Sequence, residues 1–251
     1  MTFHTLLVWA LALGSFAVAQ VQEDAEGTSG ESAGSQLYEK DLSACPGYVA
    51  KKYWQTRSGF YAELSLAGQA CNVFSQDLSN LKLEVEYETA DRLHVKIKDD
   101  NNTVYQVPDE VFPRPGYGQW CSPKNAQLEF NFTAEPFSFA VTRRDSGEIL
   151  FDTSGSQLVL KSQYVYLKTS LPDSRHLYGL GEHSDPFMLN TTNYKRTIYT
   201  RDAYSTPEGQ HLYGAHPIYF DHKVSRYTRS VPAEFEWHGR IHQQDERPAV
   251  P

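Results

Sequence analysis

This sequence lacks the residues that metal chemistry, nucleic-acid binding or a membrane span would need. No Cys-x-x-Cys pair occurs among its three cysteines, and its nine histidines show no ligand spacing, so no metal site is expected. Acidic residues outnumber basic ones, 31 to 23, giving a formal net charge of -8. Phosphate binding needs clustered Lys and Arg, so a nucleic-acid partner is not expected either. The one sustained apolar run, Thr5 to Val18, falls short of the roughly 20 residues that cross a bilayer. No P-loop lysine follows Gly179 and Gly181, whose use is therefore backbone conformation, and no cofactor is expected. No stretch sustains a helical period. The chain's 251 residues suit one large all-β domain, not a sandwich followed by a β/α barrel, which alone needs about 250 residues.

What is present begins with a leader. Residues 1–19 read as a secretory signal peptide, with Ala17-Val18-Ala19 as the small residues of a cleavage site. The expected location is extracellular, with no membrane attachment after cleavage. Residues 20–36 are acidic and rich in Gly and Ser, too poor in large apolar groups to offset their ordering entropy, and read as a flexible leader. In an exported chain the Asn-x-Thr sequons at Asn101, Asn131 and Asn190 become glycosylation candidates. Cys45, Cys71 and Cys121 become disulfide candidates.

From Tyr38 the pattern is that of short strands. Leu81, Leu83, Val85 and Tyr87 alternate with Lys82, Glu84 and Glu86, and Leu93, Val95 and Ile97 repeat this after a turn at Ala90-Asp91. A turn at residues 99–102 precedes a short strand, Val104 to Val107. Phe137 to Thr142 and Glu148 to Asp152 flank Arg144-Asp145-Ser146-Gly147, a hairpin turn with Gly available for positive φ. Leu158 to Leu160 and Tyr164 to Thr169 add two more strands. Such spacing argues for an antiparallel β-sandwich.

The most informative stretch is LYGLGEHSDPFMLNTTNYKRTIYTRDAYSTPEGQHLYGAHPIYFDHK, Leu177 to Lys223. It holds a Gly-rich turn between aromatics, a Thr-Arg-Asp-Ala element, and a Leu-Tyr-Gly-x-His-Pro strand start. This closely resembles the N-terminal β-domain of secreted fungal α-glucosidases of glycoside hydrolase family 31, over roughly Cys45 to Lys223. The resemblance implies an all-β, galactose-mutarotase-like sandwich at 37–223, incomplete at its C-terminal end. It implies a parent hydrolysing terminal α-linked glucose from maltose or malto-oligosaccharides. It also supports a disulfide between Cys45 and Cys71, since related enzymes carry both the CPGY and the AGxxCN elements, and this leaves Cys121 odd.

Asp202 is the sharpest site candidate. It lies in Thr200-Arg201-Asp202-Ala203-Tyr204, and a carboxylate beside Tyr204 suits hydrogen bonds from sugar hydroxyls. In the resembling enzymes the Asp of this element reaches the mouth of the active site, so substrate contact falls on Asp202 and Tyr204. The plainer reading is a loop Asp paired with Arg201, an exposed pair worth little. Glu182, His183 and Asp185 could pass for an acid-base cluster, but neighbouring strand positions face opposite ways, and the resemblance implies that this segment is a structural turn.

Retaining hydrolysis needs two carboxyl groups about 5–5.5 Å apart. The resembling family keeps both on its barrel, in motifs of the Trp-x-Asp-Met-Asn-Glu type. None occurs here, so no catalytic residue is assigned and the chain is expected to be inactive alone. Beyond Lys223 the family's Gly-Thr-His-Gly-Val-Phe-Leu-Leu strand is absent. Codons can be chosen for Val224 to Arg240 that restore it one nucleotide later, so 224–251 reads as a frame-displaced, disordered tail. The rival reading is a free-standing carbohydrate-binding module without hydrolytic role. Oligomeric state has no sequence signature here.

Overall fold

A computed structural model of the chain describes residues 42, 44–73, 75–101, 108, 110–111, 121–162, 164–171, 176–191, 198, 200, 202, 204–205, 212–222 and 227–230. Among these the regular elements are strands and one 3-10 turn, Pro123–Asn125. The first sheet holds β1 (Tyr48–Gln55), β2 (Gly59–Leu66), β3 (Asn80–Thr89) and β4 (Arg92–Asp99), antiparallel in that order. The second holds β5 (Leu128–Ala134), β6 (Phe137–Arg143) and β7 (Ile149–Asp152). A two-stranded ribbon follows, β8 (Val159–Lys161) with β9 (Tyr164–Tyr166). The last sheet is β10 (Leu177–Gly179), β11 (Tyr219–His222) and β12 (Tyr227–Ser230).

Alternation explains the layering. In β3 and β4 the residues Leu81, Leu83, Val85, Leu93 and Val95 are buried while their neighbours are half-exposed. These side chains share one core with Leu128, Phe139, Val141 and Phe151 of the second sheet, so the two sheets pack face to face as a sandwich. Phe60, Phe130, Phe132, Phe139 and Phe151 run through it as a chain of rings with centroids 4.6 to 5.6 Å apart. The expected hairpin is there too, with Gly147 at φ 69° closing the turn between β6 and β7. Gly59 has a different reason to be glycine: a Cβ there would stand 1.8 Å from the carbonyl oxygen of Val85 on the paired strand.

Two buried tyrosines stitch the layers. The Tyr48 hydroxyl lies 2.8 Å from the carbonyl oxygen of Leu78 and 3.0 Å from that of Leu160, and shares its one proton between them. Tyr87 accepts the backbone N–H of Phe130 at 3.0 Å. Burial pushes both phenols above the usual tyrosine range, with the nearby Asp77 charge adding to the effect at Tyr48. A folded pKa above the unfolded one contributes stability below the unfolded value, and that contribution fades as pH rises toward the folded one. Stability should therefore decline as pH rises above about 10. Tyr48→Phe should cost about 1–3 kcal/mol at neutral pH, by removing the buried donor that the two carbonyls share, and flatten the alkaline decline. Urea unfolding across that pH range checks both, and an unchanged alkaline slope in the variant would count against this role.

Two expectations meet the structure at their edges. Val104 to Val107 lies outside the described residues. The segment expected to be disordered from 224 onward contributes Tyr227–Ser230 as β12, paired with β11 from Tyr219↔Ser230 to His222↔Tyr227. The sheet thus extends past residue 223. Ladder hydrogen bonds come from backbone groups, so a strand can pair there whatever its side chains. The expected signal and leader, 1–36, fall outside the described residues.

Candidate functional site

The stretch Leu177 to Lys223 is built on β10 and β11, which pair Leu177↔Asp221, Tyr178↔Phe220 and Gly179↔Tyr219. Gly179, at φ 113°, passes so close to β11 that a Cβ would fall 2.3 Å from the carbonyl oxygen of Ile218. Leu180 follows in the left-handed region at φ 55° and donates its N–H to Ile218 at 2.7 Å. Backbone bonds then continue from His216 N–H to the Gly181 carbonyl (2.8 Å), Glu182 N–H to Gly214 (2.9 Å) and Leu212 N–H to Glu182 (2.9 Å). The Gly-rich turn and the Leu-Tyr-Gly-Ala-His-Pro element are therefore zipped together over some 30 intervening residues. Leu177, Leu180, Leu189, Ile198 and Tyr219 form a small core beneath them.

The three residues that could pass for an acid-base cluster are consumed by this architecture. One carboxylate oxygen of Glu182 accepts the Gly214 N–H at 3.1 Å and stands 3.5 Å from His216 Nε2. His183 turns the other way. Its Nδ1 accepts the Asp185 N–H at 3.3 Å, so the proton sits on Nε2, which donates to the Gly179 carbonyl at 2.8 Å. Asp185 also brings a carboxylate oxygen to 3.5 Å from Nδ1, with both side chains about nine-tenths buried. Glu182 and His183 thus serve opposite sides of one turn.

Asp202 and Tyr204 lie on the connection that leaves this clamped base. Both are exposed, Tyr204 entirely so. Asp202 makes no hydrogen bond or ion pair with another described residue. Two apolar surface residues went unread in the sequence: Phe187, 85% exposed with its ring 4.9 Å from that of Tyr178, and Met188. Only their adjacency after Pro186 could have marked them.

Comparison with known proteins places this architecture. The profile of the glycosyl hydrolase 31 N-terminal galactose mutarotase-like domain matches residues 75–228. The chain belongs to glycoside hydrolase family 31. It is 53% identical over 193 residues to a probable alpha/beta-glucosidase of Aspergillus clavatus, covering 77% of this chain and 21% of that protein. It is 40% identical over 193 residues to an alpha-glucosidase of Aspergillus niger, covering 74% of this chain and 19% of that protein. The chain thus spans about a fifth of the length of these family 31 relatives. Among solved structures the α subunit of glucosidase II shares the fold, with a TM-score of 0.53 at 14% identity over 75% of this chain and 28% of that one.

Other features of this family 31 domain bear on its surface. Cys45 and Cys71 form a disulfide, and Cys121 is free and half-buried. Asn101, Asn131 and Asn190 are exposed. Asn131 sits on β5 and reaches Thr142 Oγ1 across the ladder at 3.4 Å. Among the described residues no group of three His, Cys, Asp or Glu could hold a metal ion, and no helix is long and apolar enough to cross a membrane.

Proposed function

We propose that this chain is the glucoside-contacting β-domain of a retaining α-glucosidase. In this reading Asp202 accepts hydrogen bonds from sugar hydroxyls and Tyr204 offers an aromatic face, while the two hydrolytic carboxyls come from a barrel. The observation that carries it is the pairing of a rigid base with an exposed tip. Both ends of the 180–218 connection are tied by backbone bonds, and Asp202 and Tyr204 stand exposed between them. A charged acceptor makes a stronger hydrogen bond than a neutral one, and a clamped loop loses less freedom when it meets a ligand. Terminal α-linked glucose of maltose or malto-oligosaccharides is the substrate class. We further propose export by way of residues 1–19, and glycosylation at Asn101, Asn131 and Asn190, whose side chains are accessible.

The Glu182, His183 and Asp185 turn has no free carboxyl pair to offer, so the purified chain should be inactive by itself. Release of glucose from maltose, or of nitrophenol from its α-glucoside, should not exceed that of a heat-killed control. Turnover above the control that co-purifies with the chain would overturn the division of labour proposed here.

A further inference from the structure

A second aromatic feature lies on the sandwich, away from the Leu177 to Lys223 stretch. β1 begins with Tyr48 and Ala50 buried in the core, so simple alternation would also turn residue 54 inward. It does not, because the register shifts between Ala50 and Lys52. The extra residue reverses the phase. Tyr53 now pairs with the buried Ala62 and meets Phe132 edge-on at 5.0 Å, while Trp54 moves to the outer face opposite Tyr61. There the two rings stack, with centroids 4.3 Å apart and planes at 29°. Trp54 remains 46% exposed on an edge strand, with no further strand beside it among the described residues.

The neighbourhood of this pair is polar and held in place. One row along the same face, Lys52 and Glu63 form an ion pair at 3.1 Å. On the other side of Tyr61, Glu84 is paired with Lys98 at 2.6 Å and Lys82 with Asp100 at 2.5 Å. Ammonium and carboxylate groups of both signs surround a flat apolar ring. That mixture suits neither a polyanion, which the carboxylates repel, nor an apolar protein face, which would have to desolvate several charges. A pyranose fits it: one face of C–H groups to lie on the indole, and a rim of hydroxyls that both donate and accept hydrogen bonds.

We propose that Trp54 and Tyr61 form a non-catalytic platform that takes a glucopyranosyl residue of a glucan chain, on the outer face of the first sheet. The choice of glucose rests on the glucoside reading given above; the platform itself rests on the bulge, the stack and the charged rim. It would hold polymeric substrate by a contact separate from the one proposed for Asp202.

Native affinity electrophoresis of the whole chain, in gels cast with soluble starch or with hydroxyethyl cellulose, tests this and separates α- from β-linked glucan. Retardation by at least one of the two is expected. Trp54→Ala and Trp54→Thr should weaken it about tenfold or more, whereas Trp54→Phe should stay within about threefold. Threonine is a good strand former, so that variant guards against simple loss of β1. The loss caused by Trp54→Ala should be the same fold-change whether or not Asp202→Ala is also present, since the two contacts are separate. No retardation in either gel, or wild-type retardation of Trp54→Ala and Trp54→Thr, would overturn the platform. Loss with Asp202→Ala alone would also overturn it while leaving the Asp202 reading in place. Loss with the Trp54 variants alone supports the platform whatever becomes of Asp202.

Discussion

Replacing Lys161 with methionine should destabilise the chain by about 3–5 kcal/mol, the cost of leaving one member of a buried ion pair without its partner. The Lys161 side chain is fully buried and that of Asp77 nearly so, at 2% exposed. The ammonium is ion-paired with one carboxylate oxygen of Asp77 and stands 3.0 Å from Cys71 Sγ. The other carboxylate oxygen accepts the N–H groups of Cys71 at 2.5 Å and Asn72 at 3.2 Å. Methionine matches the length of the lysine stem but strands the carboxylate beneath the sheet. The double variant Lys161→Met with Asp77→Leu should recover part of the loss, since it removes the orphaned charge, but not all, since two N–H groups lose their acceptor. Urea unfolding of the two variants measures this. A loss below about 1 kcal/mol for Lys161→Met would show that the pair is a surface-like contact.

The second large effect belongs to the disulfide. Cys45 and Cys71, 26 positions apart, tie the start of the domain to the segment that carries Asp77. Leu42 and Val159 pack with Cys45, and Tyr164 and Tyr166 cover them. Replacing both cysteines by alanine should cost about 3.5 kcal/mol on the chain-entropy account. Peptide mapping without reduction should recover Cys45 linked to Cys71, with Cys121 alkylated. Because Lys161 touches Cys71 Sγ, the disulfide and ion-pair losses should not add. Recovery of Cys71 linked to Cys121, or an unfolding free energy unchanged without the bond, would remove this anchor from the account.

Much of this fold was legible because its strands follow the simplest rule. β3 alternates from Leu81 to Tyr87 and β4 along its whole length, and the turn between β6 and β7 carries its glycine where positive φ is needed. β1 and β2 were not read, and the reason is physical. The bulge at residues 50–52 breaks the period in β1, and the exposed run Lys51 to Gln55 then shows no buried face. β5 was missed for a related reason, since Phe130 and Phe132 are only half-buried at the edge of the core. Lys161 gave no hint of its burial, because its partner stands 84 positions away. At the candidate site, the backs of Glu182 and His183 could be told apart by strand geometry. Their partners could not, since the Gly214 N–H that holds Glu182 is 32 residues distant.

The central claim is that this domain brings Asp202 to a glucoside that other residues of the parent enzyme cleave. The most direct measurement replaces the matched region of the Aspergillus clavatus relative with residues 45–222 of this chain, with and without Asp202→Ala. The chimera should release nitrophenol from its α-glucoside, and Asp202→Ala should lower kcat/KM about tenfold to a hundredfold, as expected for one lost charge-assisted hydrogen bond. An active chimera whose kcat/KM is indifferent to Asp202→Ala, or a folded chimera without activity, would contradict the claim.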